Sequence, residues 1–214
     1  MILFNVGDSH TFPDGGWCPN IKDHYWYRIA TNVFNCTEFI NHSAPGASND
    51  AMLKAVVRHC LENPTLPTVY FINITTIFRI DLNDQSSTLH QILKPQAVAQ
   101  IDFETIECTL YSHLIGTIEF LKSYNKPFLI FNNGKNFSAD QLPKRDAYVK
   151  YVMNENRILN WFNNAKIDYH AYKTKIKPVD YYQYEWNGHD GVDGHNKMYD
   201  MLIKSIPDKY TKLE

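Results

Sequence analysis

Residues Thr68–Ile74 read Thr-Val-Tyr-Phe-Ile-Asn-Ile, a run of β-branched, aromatic and aliphatic side chains broken only by Asn73. Polar and apolar residues do not alternate along it, so a strand here is covered on both faces. Such strands belong to parallel sheets, whose crossover connections lay helices over each side. Ile2–Val6 and Phe128–Phe131 have the same character, and Thr37–Ile40 makes a shorter strand. Helical spacing fills the intervals. Tyr25, Ile29 and Val33 recur every four residues within Ile21–Phe34, and Met52, Val56, His59 and Cys60 share a face of Asn49–Asn63. Further helices are expected from Pro95 to about Tyr124, over Arg145–Asn163 and over Val192–Ser205. The polar segment Asp81–Lys94 reads as a loop, and Ile167–His170 as a weak final strand. The pattern predicts a three-layer α/β/α domain with a parallel sheet, spanning residues 1–214 without an internal repeat or linker.

With 214 residues, 44% hydrophobic and 21% charged, the chain is long enough to bury one substantial core. A formal charge of -2 gives no electrostatic reason to expect nucleic acid or an anionic membrane as partner. No apolar run approaches the roughly 20 residues that span a bilayer. The opening Met1–Val6 lacks the basic flank of a signal peptide, so it is read as a strand and the protein as cytoplasmic. The four cysteines form no Cys-x-x-Cys pair, which predicts free thiols and no structural zinc site. The 14 tyrosines and 12 phenylalanines serve packing or a carbohydrate platform.

Ligands of open parallel sheets bind outside the carboxyl ends of the strands. The chain puts Gly7-Asp8-Ser9, Gly46, Asn73–Thr76 and Asn132–Gly134 there. A serine hydroxyl becomes a nucleophile only when a base takes its proton and donors stabilise the resulting oxyanion. Gly7-Asp8-Ser9 supplies a tight turn that suits this chemistry, although Asp8 or Ser9 would equally cap a helix. Gly46 follows Pro45 between a strand and a helix, where its N–H can point into the same crevice.

Together these segments resemble the SGNH (GDSL-type) hydrolase family. Gly7-Asp8-Ser9 matches its first motif and Gly46 its second, and Asn41–Asn49 is similar to short SGNH-type proteins of tailed phages. The resemblance implies the flavodoxin-like SGNH fold, with Ser9 as nucleophile and the N–H groups of Ser9 and Gly46 as oxyanion donors. The family's third motif, an Asn in a Gly-x-Asn-Asp turn, is missing. Thr76 stands nearest its position, whereas Asn73 comes about one turn earlier and can point into the sheet. The fourth motif, Asp-x-x-His before the last helix, is met in part. His189 lies on the loop before that helix, and His195 shares a helical face with Met198 and Leu202, which assigns it to packing. Trp186 occupies the place of the acid, leaving Glu185 as the candidate partner of His189, or a Ser–His dyad. His189, Asp190, Asp193 and His195 would make a metal cluster, but capping and packing account for them, so no metal and no cofactor is expected.

The resemblance implies a serine esterase or deacetylase acting on a small ester or O-acetylated carbohydrate through an acyl-enzyme. Two alternatives fit the same residues: an O-acetyltransferase of this fold, and a non-catalytic carbohydrate-binding or virion-associated module with a degenerate site.

Overall fold

The structure, a computed structural model, describes residues 1–8, 11–12, 18, 20–75, 79–82, 85–88, 103–132, 151, 158–160 and 192–206. A parallel sheet is built from β1 (Ile2–Val6), β2 (Glu38–Asn41), β3 (Thr68–Ile74), β6 (Phe128–Asn132) and β7 (Ile158–Asn160). Their order is β2-β1-β3-β6-β7, with every neighbouring pair parallel. The remaining strands, β4 (Arg79–Leu82) and β5 (Gln85–Thr88), form a separate antiparallel hairpin.

The pleat of the central strands sorts side chains into two cores. Phe4, Val6, Tyr70, Ile72, Phe128 and Ile130 face α2 (Asn49–Glu62) and α3 (Phe103–Ser123), where Val56, Tyr111, Leu114 and Ile118 complete the layer. Leu3, Val69, Phe71, Leu129 and Phe131 point the other way, toward α1 (Tyr25–Phe34) and α4 (Val192–Leu202). Period-two alternation thus places helices on both sides of the sheet. Each fully buried Leu, Ile or Phe contributes roughly 1.5–3 kcal/mol of transfer free energy, and this layering is the main source of stability.

Local sequence sets the helix ends. In α1 the buried residues are Tyr25, Trp26, Ile29, Ala30, Val33 and Phe34, a stripe of helical period. It stops at Asn35, left-handed at φ 50°, followed by Cys36 N–H donating to Ala30 O at 3.0 Å. The start of α2 is capped by Ser48, whose Oγ accepts the Ala51 N–H at 3.1 Å.

Three sequence expectations are corrected. Ile21–Phe34 is not one helix: a 3₁₀ turn covers Ile21–Asp23, and His24 is extended before α1 begins. The expected loop Asp81–Lys94 holds the end of β4 and all of β5, with Leu82 paired to Gln85. Ile158–Asn160, assigned to a helix, is an edge strand in register with Ile130–Asn132. The expected strand Ile167–His170 lies outside the described residues.

Candidate active site

The chain leaves β1 through Gly7 and Asp8, and close packing explains the glycine. A Cβ on Gly7 would lie 2.0 Å from Thr11 Oγ1 and 3.0 Å from Asn73 Cβ, inside contact distance. Asp8 is buried and closes a turn: its carbonyl accepts the N–H groups of Thr11 and Phe12, each at 3.1 Å. Asp8 Oδ2 also accepts the Thr75 hydroxyl at 2.6 Å. The residue before Ser9 is thereby joined to the residue before Thr76.

The end of β2 is drawn to the same place. Asn5 O accepts the His42 N–H at 2.8 Å, and Gly7 O accepts the Ala44 N–H at 3.1 Å. Ala44-Pro45-Gly46-Ala47 then makes a type II turn, with Ala47 N–H donating to Ala44 O at 3.0 Å and Gly46 at φ 80°. Proline at the second position and a positive φ at the third are what this turn requires. Asn49 fastens the turn's exit to β3, donating to Thr75 O at 3.0 Å and accepting the Thr75 N–H at 2.8 Å.

Beneath these turns runs a buried polar network that sequence reasoning missed. Asn73 Nδ2 donates to Asn5 Oδ1 at 2.9 Å and to Val6 O at 2.8 Å, and its Oδ1 accepts the Tyr25 hydroxyl. Asn5 Nδ2 donates onward to Asn41 Oδ1 at 2.9 Å and Ser43 Oγ at 3.1 Å. Thr11 Oγ1 stands 2.9 Å from Ser43 Oγ and 3.1 Å from Asp8 O, its single proton serving one of them at a time. Asn5 and Asn73 are fully buried, so these bonds offset a desolvation cost of about 1–3 kcal/mol per amide. The signal in the sequence was a lone asparagine near the end of each of three neighbouring strands. Asn73 points into the sheet, as its position implied, and is committed to structure.

On the α1/α4 side, the Tyr25 ring stacks on His195, with centroids 5.6 Å apart and planes at 21°. His195 is buried. Arg28 fixes α4 further, reaching Asn196 Oδ1 at 2.5 Å and covering the Tyr199 ring at 3.9 Å. The start of α4, three residues after His189 in sequence, is therefore held against the helix that contacts Asn73.

Of the predicted site residues, Gly46 is described, and its turn is hydrogen-bonded to Gly7 through the Ala44 N–H. Ser9, Thr76, His189 and Glu185 lie outside the described residues, as do Asp190, Asn133 and Gly134. Among the described residues no helix is long and apolar enough to cross a membrane.

No protein-family model and no curated protein matches the sequence. Solved structures do. A lipase, Lip_vut3, from goat rumen metagenome is 15% identical over all of both chains, at a TM-score of 0.60. The psychrotrophic esterase EstA from Pseudoalteromonas sp., inhibited by monoethylphosphonate, is 9% identical over 99% of each chain, at 0.53. A lipolytic protein of the G-D-S-L family from Veillonella parvula is 14% identical over 95% of this chain and 96% of its own, at 0.51. The turn at Gly7-Asp8, the turn at Gly46 and the end of β3 thus stand at the carboxyl edge of a sheet whose fold is that of the GDSL-type lipolytic hydrolases.

Proposed function

We propose that the protein is a serine esterase or deacetylase of SGNH type, acting on a small ester or an O-acetylated carbohydrate. The observation that carries this reading is the convergence of two turns and the end of β3. The residue preceding Ser9, the Gly46 turn and the residue preceding Thr76 are hydrogen-bonded into one strand-end cluster. Similarity to solved esterases and lipases supports the same reaction class.

In this reading Ser9 Oγ attacks the ester carbonyl while His189 takes the hydroxyl proton. The N–H groups of Ser9 and Gly46, with the Thr76 hydroxyl, stabilise the tetrahedral oxyanion. Collapse of that intermediate expels the alcohol, which leaves with the proton held by His189. The acyl group stays on Ser9. Water, deprotonated by His189, then attacks the acyl carbonyl, and the carboxylic acid departs as Ser9 recovers its proton. Glu185 orients the imidazole and stabilises its charged form. A rigid asparagine network under the turns would hold the donors without reorganisation during the reaction.

The test pairs turnover with covalent labelling. Wild type should hydrolyse p-nitrophenyl acetate and take up a fluorophosphonate probe on Ser9. Ser9→Ala should lose both, and His189→Ala should lose turnover and most labelling. Unchanged hydrolysis by folded Ser9→Ala would sink the assignment. Absence of labelling in wild type would favour a binding module.

A further inference from the structure

Cys18, His24 and His195 come together on the α1/α4 side of the sheet, where one ligand atom from each lies within 4.8 Å of the others. All three are buried, at 3%, 1% and 2% exposure. They come from two distant parts of the chain: Cys18 and His24 precede α1, and His195 belongs to the first turn of α4. The His24 and His195 rings are 4.3 Å apart between centroids, with planes at 46°.

The hydrogen bonding of His24 matters most. Its Nε2 lies 2.9 Å from the Cys18 carbonyl oxygen. A carbonyl only accepts, so Nε2 carries the proton and, in the neutral ring, Nδ1 is the basic nitrogen. Histidines that bind metals show this arrangement, with one ring nitrogen donating to a backbone carbonyl and the other turned to the ion. Such a bond fixes both the tautomer and the ring plane.

We propose that Cys18, His24 and His195 form a buried zinc(II) site with one sulfur and two nitrogen ligands. Zinc takes this donor set in tetrahedral geometry, with bonds of about 2.3 Å to sulfur and about 2.0–2.1 Å to nitrogen. Ligand atoms then sit roughly 3.3–3.6 Å apart, a spacing that atoms already within 4.8 Å of one another reach by small side-chain adjustments. Three protein ligands leave a fourth place for water. Cys18 enters as thiolate, releasing its proton, and the site acts as a clamp. It joins the segment before α1 to the helix that follows His189, and its binding free energy adds to folding. The inference is independent of chemistry at Ser9, because its readouts are metal content, spectrum and stability.

The experiment uses full-length protein from zinc-supplemented culture. Elemental analysis should find about one zinc per chain. Removing the metal with a chelator should lower the melting temperature, and adding zinc back should restore it. Cobalt(II) in place of zinc should give a thiolate-to-cobalt charge-transfer band in the near ultraviolet. That band should vanish in Cys18→Ser and survive in Cys60→Ser, whose sulfur lies on the α2 side. Wild-type protein that takes up neither metal overturns the proposal, whatever the variants do. Cobalt binding without the thiolate band overturns it too, since the ion would then sit elsewhere.

Discussion

The Thr75 hydroxyl donates to Asp8 Oδ2 at 2.6 Å, across the two strand ends that precede Ser9 and Thr76. Both residues are buried, so water cannot substitute for a lost donor. Thr75→Val keeps the shape and removes the hydroxyl. It should cost about 1–3 kcal/mol, read as a lower urea midpoint, and should reduce ester hydrolysis. Thr75→Ser should recover most of both. Equal midpoints for wild type and Thr75→Val would show that the bond contributes nothing.

At Gly7 even one methyl is excluded, because an added Cβ would sit 2.0 Å from Thr11 Oγ1. Gly7→Ala should destabilise by about 1–3 kcal/mol through overpacking. Combining it with Thr11→Ala removes the nearest atom, although Thr11 Cβ remains at 3.0 Å. Partial recovery of the melting temperature in the double variant is therefore expected; a purely additive loss would place the strain elsewhere.

Gly46 stands at φ 80°, a backbone region open to glycine and tolerated by asparagine. Gly46→Ala should cost about 1 kcal/mol and Gly46→Asn less. If the Gly46 N–H serves the oxyanion, both variants should lose kcat in proportion to how far the turn shifts. Thermal melts and steady-state kinetics on the pair separate the two effects.

High pH should weaken the fold through groups it buries neutral. Burial raises the Cys36 thiol from 9.0 to about 11, against a smaller opposing pull from the chain's amino terminus. Burial, with Cys108 adding to it, raises Tyr111 from 10.0 to about 12. Both groups hold their protons more tightly folded than unfolded. Their contribution is thus complete below the unfolded values and is lost as pH rises through the folded ones. Urea midpoints should hold steady to about pH 8.5 and fall between about pH 9 and pH 11. Cys36→Ala should flatten the early part of that fall. A constant midpoint across the window would contradict the burial of these groups.

The fold was legible where chemistry repeats. The apolar runs of β1, β3 and β6 and the four-residue spacing in α1 and α2 stated the three-layer arrangement outright. The hairpin β4–β5 was not legible, because Arg-Ile-Asp-Leu alternates for only four residues, Gln-Ser-Ser-Thr has no apolar face, and no glycine stands between them. β7 was hidden by its shortness: Ile158–Asn160 has too few residues to show a period, and pairing with β6 makes it a strand. At the site, Gly7 and Gly46 could be found because turns demand particular residues. Asn5, Asn41 and Ser43 could not, because a polar side chain at a strand end has meaning only beside its partner on the neighbouring segment.

The asparagine network also bears on how the chain chooses among alternative pairings. Every position of β3 is buried, so its apolar pattern alone would tolerate sliding by two residues along β1. In the native alignment Asn5 pairs with Phe71 and Val6 with Ile72, which brings the Asn73 amide to Asn5 and to the Val6 carbonyl. After a slip, the same amides would be sealed among hydrocarbon without partners, at about 1–3 kcal/mol each. Two polar side chains in an otherwise uniform layer thus act as an alignment check, rejecting near-native sheets that hydrophobic burial could not tell apart.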